Sequence, residues 1–510
     1  MTGPHQDPPG ESTLPFSGRQ WLILLALTAL GAALRLRNLG DWAFWVDEAH
    51  TWRDATLPAE VFWSSNRSYY PTSFVVVRWL LDVMDPRTVT EGILRLPFAI
   101  AGIVSVPLLA VYGRMLVGNV PALFAALLLA VNPWHIYWSQ NARSYSLMFL
   151  LSLLAAGCFW SGVQKKSAWR IIAAALAGLL AVSCHSTGGL VFGPMLAYPL
   201  LARRECNARL LAVLGGCIVV LIVTLPSLRH VPPFDEFVRA KATPDLSHLI
   251  QTVAFYFRLP LLLTAVIGLW IQFQERDRSR SLYLALWALL PLIALAILGA
   301  TVVKTTARYA FGVLPAVLLL SSLACVRLHN AVRDALAEGN RASRFLPGLA
   351  VPALVCIDLL VYDYHYFTVQ AGDRGLWHQA ARQIHDLEPT QKVTVLTVNE
   401  PTMQFYLRRW HYSSNPQLTG HANGEVISIE TYLMADAGGA PQWFELQAQR
   451  AQARGNALYA VVTLPELREK DPDRRLERQI QSKMELVAAY PIAVGPKDET
   501  IFVYRARDAK

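Results

Sequence analysis

The sequence predicts a polytopic α-helical membrane protein: about eleven transmembrane helices, then an external C-terminal α/β domain. Three observations carry that reading. The chain has 510 residues, 54% hydrophobic and 16% charged, with a mean hydropathy of +0.31. A water-soluble domain carries nearer a quarter charged residues. Apolar runs approaching the roughly 20 residues that a bilayer core requires recur up to residue 367. Cations gather in the short loops after every second run, as alternate threading demands.

Residues 1–19 are polar and carry no cleavage signature. They read as a cytoplasmic tail, and the first apolar run as an uncleaved helix. The transmembrane domain covers 20–367. Its helices fall near 20–37, 92–115, 119–138, 144–163, 168–184, 187–202, 208–228, 252–272, 281–300, 308–327 and 345–367. Ser73–Met84 is apolar but short and contains Arg78 and Asp82. It reads as a helix lying in the interface, within a first external loop at 38–91. Four cationic clusters mark cytoplasmic loops: Lys165, Lys166 and Arg170; Arg203, Arg204 and Arg209; Arg276, Arg278 and Arg280; Arg327, Arg333, Arg341 and Arg344. The N-terminus is then inside and the C-terminus outside.

Near Gly372 the composition changes. Leu376–Leu387 has helical periodicity, and Gln404–Arg409 suggests a second helix. Lys392–Val398, Ala457–Leu464 and Thr500–Tyr504 read as strands, and Asn415–Gly439 as loop. Helix and strand alternate, so 368–510 is expected to form a small external α/β domain.

The net charge of +9 comes without zinc-finger spacing, an RNP-type aromatic motif or a basic helix, so no nucleic acid partner is expected. The six cysteines, at 158, 184, 206, 217, 325 and 356, form no CxxC pair, which removes a zinc ribbon and a redox couple. No cofactor is required. A divalent metal is compatible with the sequence but not indicated by it.

Three outward-facing elements carry the ionisable groups. In Trp42-Ala43-Phe44-Trp45-Val46-Asp47-Glu48-Ala49-His50, two adjacent acids sit in an aromatic-rich segment at the bilayer surface. Desolvation there is costly, and either acid suits a general base. In Ser139-Gln140-Asn141-Ala142-Arg143-Ser144-Tyr145, Arg143 stands at the outer end of a helix. Its planar fork can give two hydrogen bonds to a lipid phosphate. Arg308 and Tyr309 open a later helix at the same surface. His50, His135 and His185 read as interfacial or internally bonded imidazoles ahead of metal ligands.

Five short motifs follow one another along the chain: Asp47-Glu48-Ala49, Tyr69-Tyr70-Pro71-Thr72-Ser73-Phe74, Gln140-Asn141-Ala142-Arg143-Ser144-Tyr145-Ser146-Leu147, Arg308-Tyr309 followed by Pro315, and Leu376-Trp377-His378-Gln379-Ala380-Ala381. In order and spacing the chain resembles bacterial polyprenyl-phosphate-sugar-dependent glycosyltransferases. Their superfamily is that of protein O-mannosyltransferase and lipid A aminoarabinose transferase, with the C-type glycosyltransferase fold. The resemblance implies an inverting transfer from a polyprenyl-phosphate sugar donor to a hydroxyl of a lipid, protein or polysaccharide acceptor. It implies a bacterial inner membrane as the setting. Asp47 would be the general base and Glu48 would orient acceptor or base, though the two roles are interchangeable at this level. Arg143 and Arg308 would hold the donor phosphate, with Tyr70 and Arg67. Tyr145, Tyr309 and His50 would line the substrate pocket. Tyr70 stands where some relatives direct a His or Lys at the phosphate, so that role passes to Arg67, Arg143 or Arg308.

Two other readings share part of this ground. An oligosaccharyltransferase of the same fold calls for a second acidic motif, and Asp235-Glu236 is the candidate. A transporter or flippase places ionisable groups inside its spans and often shows repeats. These spans are nearly free of Asp and Glu, and no repeat is evident.

Topology is directly testable. Reporter fusions at Lys166, Arg204, Arg278 and Arg341 are expected to read cytoplasmic, and fusions at residue 60 and after residue 380 external. A cytoplasmic C-terminus would overturn the threading.

Overall fold

A bilayer offers backbone groups no outside partner, so apolar runs of this length close their hydrogen bonds as helices. The computed structural model describes residues 15–64, 70–84, 88–202, 215–216, 244–275, 277–336, 347–389, 392–408, 424–429, 440–494 and 497–507. Among them, six helical segments are long and apolar enough to cross a membrane: Gly18–Leu36, Glu91–Val117, Tyr145–Gln164, Arg278–Thr301, Ala307–Ala335 and Ala350–Thr368. Two bent pairs raise the count to eight: Asn119–Ala130 with Pro133–Ser139 at 59°, and Leu246–Phe257 with Leu259–Gln274 at 93°. This is a multi-pass membrane architecture; the described residues account for six to eight of the eleven spans expected.

The shortfall has local causes. Ala168–Cys184 is apolar but only 17 residues long. The run at 187–202 divides into a 3-10 turn, Ser186–Val191, and a short helix, Phe192–Leu201. The expected helix at 208–228 falls outside the described residues, apart from 215–216. Arg67, Arg203, Arg204, Arg209, Asp235, Glu236, Arg276, Arg341 and Arg344 also lie outside them.

The chain folds as two compact units. The first comprises Met1–Arg37, Trp63–Ser73 and Leu96–Tyr364. Its breaks are capped with polar groups. Val131 ends one helix and Asn132 starts the next: the Asn132 side chain accepts the His135 N–H at 2.9 Å, and Pro133 occupies the first turn. The fully buried Arg35 donates to the end carbonyls Leu129 and Ala130 at 2.9 and 3.0 Å, and to His135 Nδ1 at 2.8 Å. Those carbonyls would otherwise be orphaned in an apolar interior. At the second break Arg258 has φ +70°. Asp358 holds it there through two hydrogen bonds of 2.8 and 3.0 Å.

Leu259–Gln274 and Leu314–Ala335 meet backbone to backbone. A Cβ at Gly268 would strike the Leu320 carbonyl. The Thr264 and Ser321 hydroxyls hydrogen-bond across the same seam at 2.6 Å. Small and hydroxylated residues at helix contacts are what lipid-embedded packing favours.

The second unit comprises Asn38–Phe62, Phe74–Arg95 and His365–Lys510. Its sheet has strands β1 (Val393–Thr397), β2 (Gly424–Ser428), β3 (Ala457–Thr463), β4 (Met484–Tyr490) and β7 (Ile501–Ala506), with a two-residue pair β5 (Ala493–Val494) and β6 (Lys497–Asp498) apart from it. The order is β2-β1-β3-β7-β4. β1 is parallel to β2 and β3, while β7 is antiparallel to β3 and β4. All five residues of β1 are buried, as a central parallel strand requires. The helix Trp377–Leu387 lies where the periodicity put it, and Glu400–Leu407 overlaps the helix expected at Gln404–Arg409 but starts four residues earlier. β2 corrects the expectation of loop over Asn415–Gly439. β4 was not foreseen because it is a largely exposed edge strand without a clear apolar alternation.

Segments from the first loop complete this unit. The Trp42 ring lies on Gly372, which adopts φ +69° and leaves no room for a side chain. The Phe44 N–H donates to Tyr406 Oη at 2.7 Å, and Phe44 and Trp52 both pack on Phe405.

Gly268→Val is expected to destabilise by about 1–3 kcal/mol or more through overpacking at the Leu320 carbonyl. Gly18→Ala, with open space around it, is expected to stay within about 0.5 kcal/mol. Thermal unfolding in detergent measures both.

Candidate functional site

The two acids of the first loop have different environments. They open the helix Val46–Ala55 as its second and third residues. Glu48 is fully buried. Its Oε2 accepts the Trp45 backbone N–H at 3.0 Å, closing the helix start. Arg95 donates Nε–H to Oε1 at 2.8 Å and Nη2–H to Oε2 at 2.9 Å. Arg374 adds its Nε–H to Oε2 at 3.3 Å. Arg95 directs its other three N–H groups to the carbonyls of Leu39, Trp42 and Ala43, at 3.1, 2.9 and 2.8 Å. All five of its donors are therefore used.

A carboxylate so occupied is ill placed to take a proton from a substrate. Glu48 instead fixes the turn that presents Asp47. Asp47, by contrast, is half-buried at the helix N-terminus. His50, expected to line a substrate pocket, sits one turn on, with Nδ1 2.9 Å from an Arg53 guanidinium nitrogen. Arg53 lies 3.8 Å from Glu400. His50 thus belongs to a polar chain along its helix.

In the other unit, five of the expected residues gather on one ring that was not singled out for a functional role. His185 ends the Ala168–Cys184 helix and begins the Ser186–Val191 turn. Its ring stacks with Tyr70 (5.9 Å, 19°) and Tyr309 (5.8 Å, 28°) and meets Tyr145 at 5.3 Å. Local bonds bring these pieces together. The Ser144 hydroxyl donates to the Cys184 carbonyl at 2.6 Å, which ties the start of Tyr145–Gln164 to the end of Ala168–Cys184. The Thr72 and Ser183 hydroxyls lie 2.7 Å apart, anchoring the segment of Tyr70. Arg308 lies over its neighbour Tyr309, with Cζ 5.3 Å from the ring centroid.

Burial, then the positive charges of Arg143 and Arg308, push the His185 imidazole down to about 3. Both guanidinium groups therefore act on the same ring. Tyrosine hydroxyls, two cations and an imidazole around one point make an anion-binding environment. The sequence signal for His185 was weak, since one His beside Ser-Thr-Gly-Gly matches no motif. Arg95 had a readable signal, a charge one turn inside an apolar helix, of the kind that marks function or a buried pair. Among the described residues, no three or more His, Cys, Asp or Glu side chains cluster as metal ligands.

Residues 75–230 match the family described as dolichyl-phosphate-mannose-protein mannosyltransferase. That stretch includes Arg143 and His185. No curated protein matches the chain. Among solved structures, ArnT from Cupriavidus metallidurans in the apo state has a TM-score of 0.58 at 16% identity, covering 96% of this chain and 98% of that one. The same protein bound to undecaprenyl phosphate gives 0.58 at 15% identity, covering 97% and 99%. The archaeal oligosaccharyltransferase AglB from Archaeoglobus fulgidus, in complex with an inhibitory peptide and a dolichol-phosphate, gives 0.57 at 14% identity, covering 96% of this chain and 74% of that one. The chain thus has the fold of these glycosyltransferases, as its short motifs suggested.

Glu48→Gln is expected to cost about 3–5 kcal/mol, because it leaves Arg95 buried without its counter-charge. Asp47→Asn, next to it but half-exposed, is expected to stay within about 0.5 kcal/mol. Comparing the thermal unfolding of the two purified variants tests whether Glu48, and not Asp47, is needed for the fold.

Proposed function

We propose that this chain is a glycosyltransferase of the protein O-mannosyltransferase and lipid A aminoarabinose transferase superfamily. It moves a sugar from a polyprenyl phosphate to an acceptor hydroxyl, with inversion, at the external face of a bacterial inner membrane. The observation that carries the reading is the gathering of Tyr70, Tyr145, Tyr309, Arg143 and Arg308 around His185.

The acceptor oxygen forms a bond to the anomeric carbon as the bond from that carbon to the phosphate oxygen breaks. The acceptor proton passes to the Asp47 carboxylate, and the phosphate leaves with the bonding electron pair. Arg143 and Arg308 stabilise the charge that grows on the leaving phosphate, and such electrostatic stabilisation is usually the largest single catalytic contribution. Glu48 positions Asp47 by holding the helix start. A lipid phosphate already leaves readily, so neither a nucleotide nor a divalent metal is needed. The similarity to ArnT bound to undecaprenyl phosphate supports a polyprenyl phosphate as the donor carrier.

Asp47→Asn is expected to lower turnover by at least about 10²-fold with donor binding nearly intact. Near-normal turnover would remove the first loop from the chemistry. Arg143→Ala and Arg308→Ala are each expected to impair donor use sharply, with Lys restoring only part because it lacks the bidentate fork. Full activity of both Ala variants would make them interfacial anchors. Turnover is expected to persist in excess chelator; its loss, restored by a divalent cation, would favour the oligosaccharyltransferase reading.

A further inference from the structure

His185 has one ring nitrogen engaged and one directed to no described residue. Nδ1 accepts the Thr187 backbone N–H at 3.2 Å, and the Thr187 hydroxyl lies 2.9 Å from the same atom. An amide N–H can donate only to a bare lone pair, so Nδ1 carries no proton. A neutral imidazole has a single ring proton, which must then sit on Nε2. His185 as a whole is half-buried.

Tyr70, Tyr145 and Tyr309 fix the ring plane. The charged groups acting on it are the Arg143 and Arg308 guanidiniums, both positive. A second ring proton would add a third cation to a half-buried cluster, and burial with those two charges holds the imidazole down to about 3. The ring is therefore a neutral N–H donor at neutral pH, where a phosphate ester is anionic. A neutral donor adds a directed hydrogen bond without adding to the repulsion between the two arginines.

We infer that His185 is a third ligand of the donor phosphate, giving its Nε2–H to a phosphate oxygen beside Arg143 and Arg308. The assignment rests on the lipid-phosphate reading above and adds a residue to it. The same cradle of rings that packs the imidazole would orient that N–H, so His185 binds and aligns the leaving group and transfers no proton.

The test uses the purified full chain in detergent, with undecaprenyl phosphate and undecaprenol as probes. His185→Phe keeps a ring between Tyr70 and Tyr309 but has no N–H. It is expected to weaken undecaprenyl phosphate binding about 10- to 100-fold, as loss of a hydrogen bond to a charged group does. Undecaprenol binding should be unchanged. His185→Gln, which restores an N–H donor, is expected to recover part of the loss. Equal phosphate binding by His185→Phe and wild type would overturn the inference and leave the ring a packing element. If wild type itself does not prefer undecaprenyl phosphate to undecaprenol, the lipid-phosphate reading fails first. A second measurement needs no Phe variant. In ¹⁵N-histidine-labelled protein, His185, assigned by its loss in His185→Gln, is expected to be the Nε2–H tautomer. Its Nε2 signal should move on adding undecaprenyl phosphate and not undecaprenol. An Nδ1–H tautomer or an unmoved signal would overturn the assignment.

Discussion

Glu48 gives both carboxylate oxygens to Arg95, and Arg95 directs its three remaining N–H groups to carbonyls at 39, 42 and 43. A loop that would otherwise leave buried carbonyls unmet is thereby wound around a single guanidinium. Arg374 brings the His365–Lys510 segment to the same carboxylate. A buried charge pair of this kind contributes little net stability against an apolar substitute, but losing one partner is severe. Its value here is geometric. The Trp45 turn is closed, the helix that follows starts at a fixed residue, and Asp47 is held at its N-terminus.

The first unit follows a related logic at its helix breaks. Irregular backbone inside a membrane protein persists where it is buried in protein or lines a cavity. Arg35 meets the carbonyls exposed at the break before Pro133, and Asp358 holds Arg258 in its left-handed conformation at the next one. His185 occupies a third break, where Ser144 and Ser183 tie neighbouring segments together. The residues with chemical potential, Arg143, His185 and Arg308, all stand at such ends. Rigid spans set the distances, while the ends supply polar groups.

Much of this was legible in the sequence. Sparse charge and long apolar runs gave the helical membrane class, and the boundaries of Tyr145–Gln164 and Ala168–Cys184 were met to within a residue or two. β1 and β3 were readable because both are β-branched and buried. The count of spans was less so. Hydropathy sums over a window and does not register that Pro133 restarts a helix or that Arg258 turns the chain by 93°. β2 and β4 lie at the two edges of the sheet, where weaker patterning suffices.

The sequence by itself determined the helical membrane class and the α/β character of the C-terminal part, and its short motifs singled out the two arginines and three tyrosines found around His185. Those are matters of composition, period and motif. Only the tertiary structure separated Asp47 from Glu48, because adjacent acids have the same local context and differ only in what surrounds them in space. It likewise brought out His185, whose Nδ1 is engaged by Thr187 and whose charge state is set by burial and by cations 42 and 123 residues away along the chain. A proton's position depends on the field and the partners around it, and those exist only once the chain has folded.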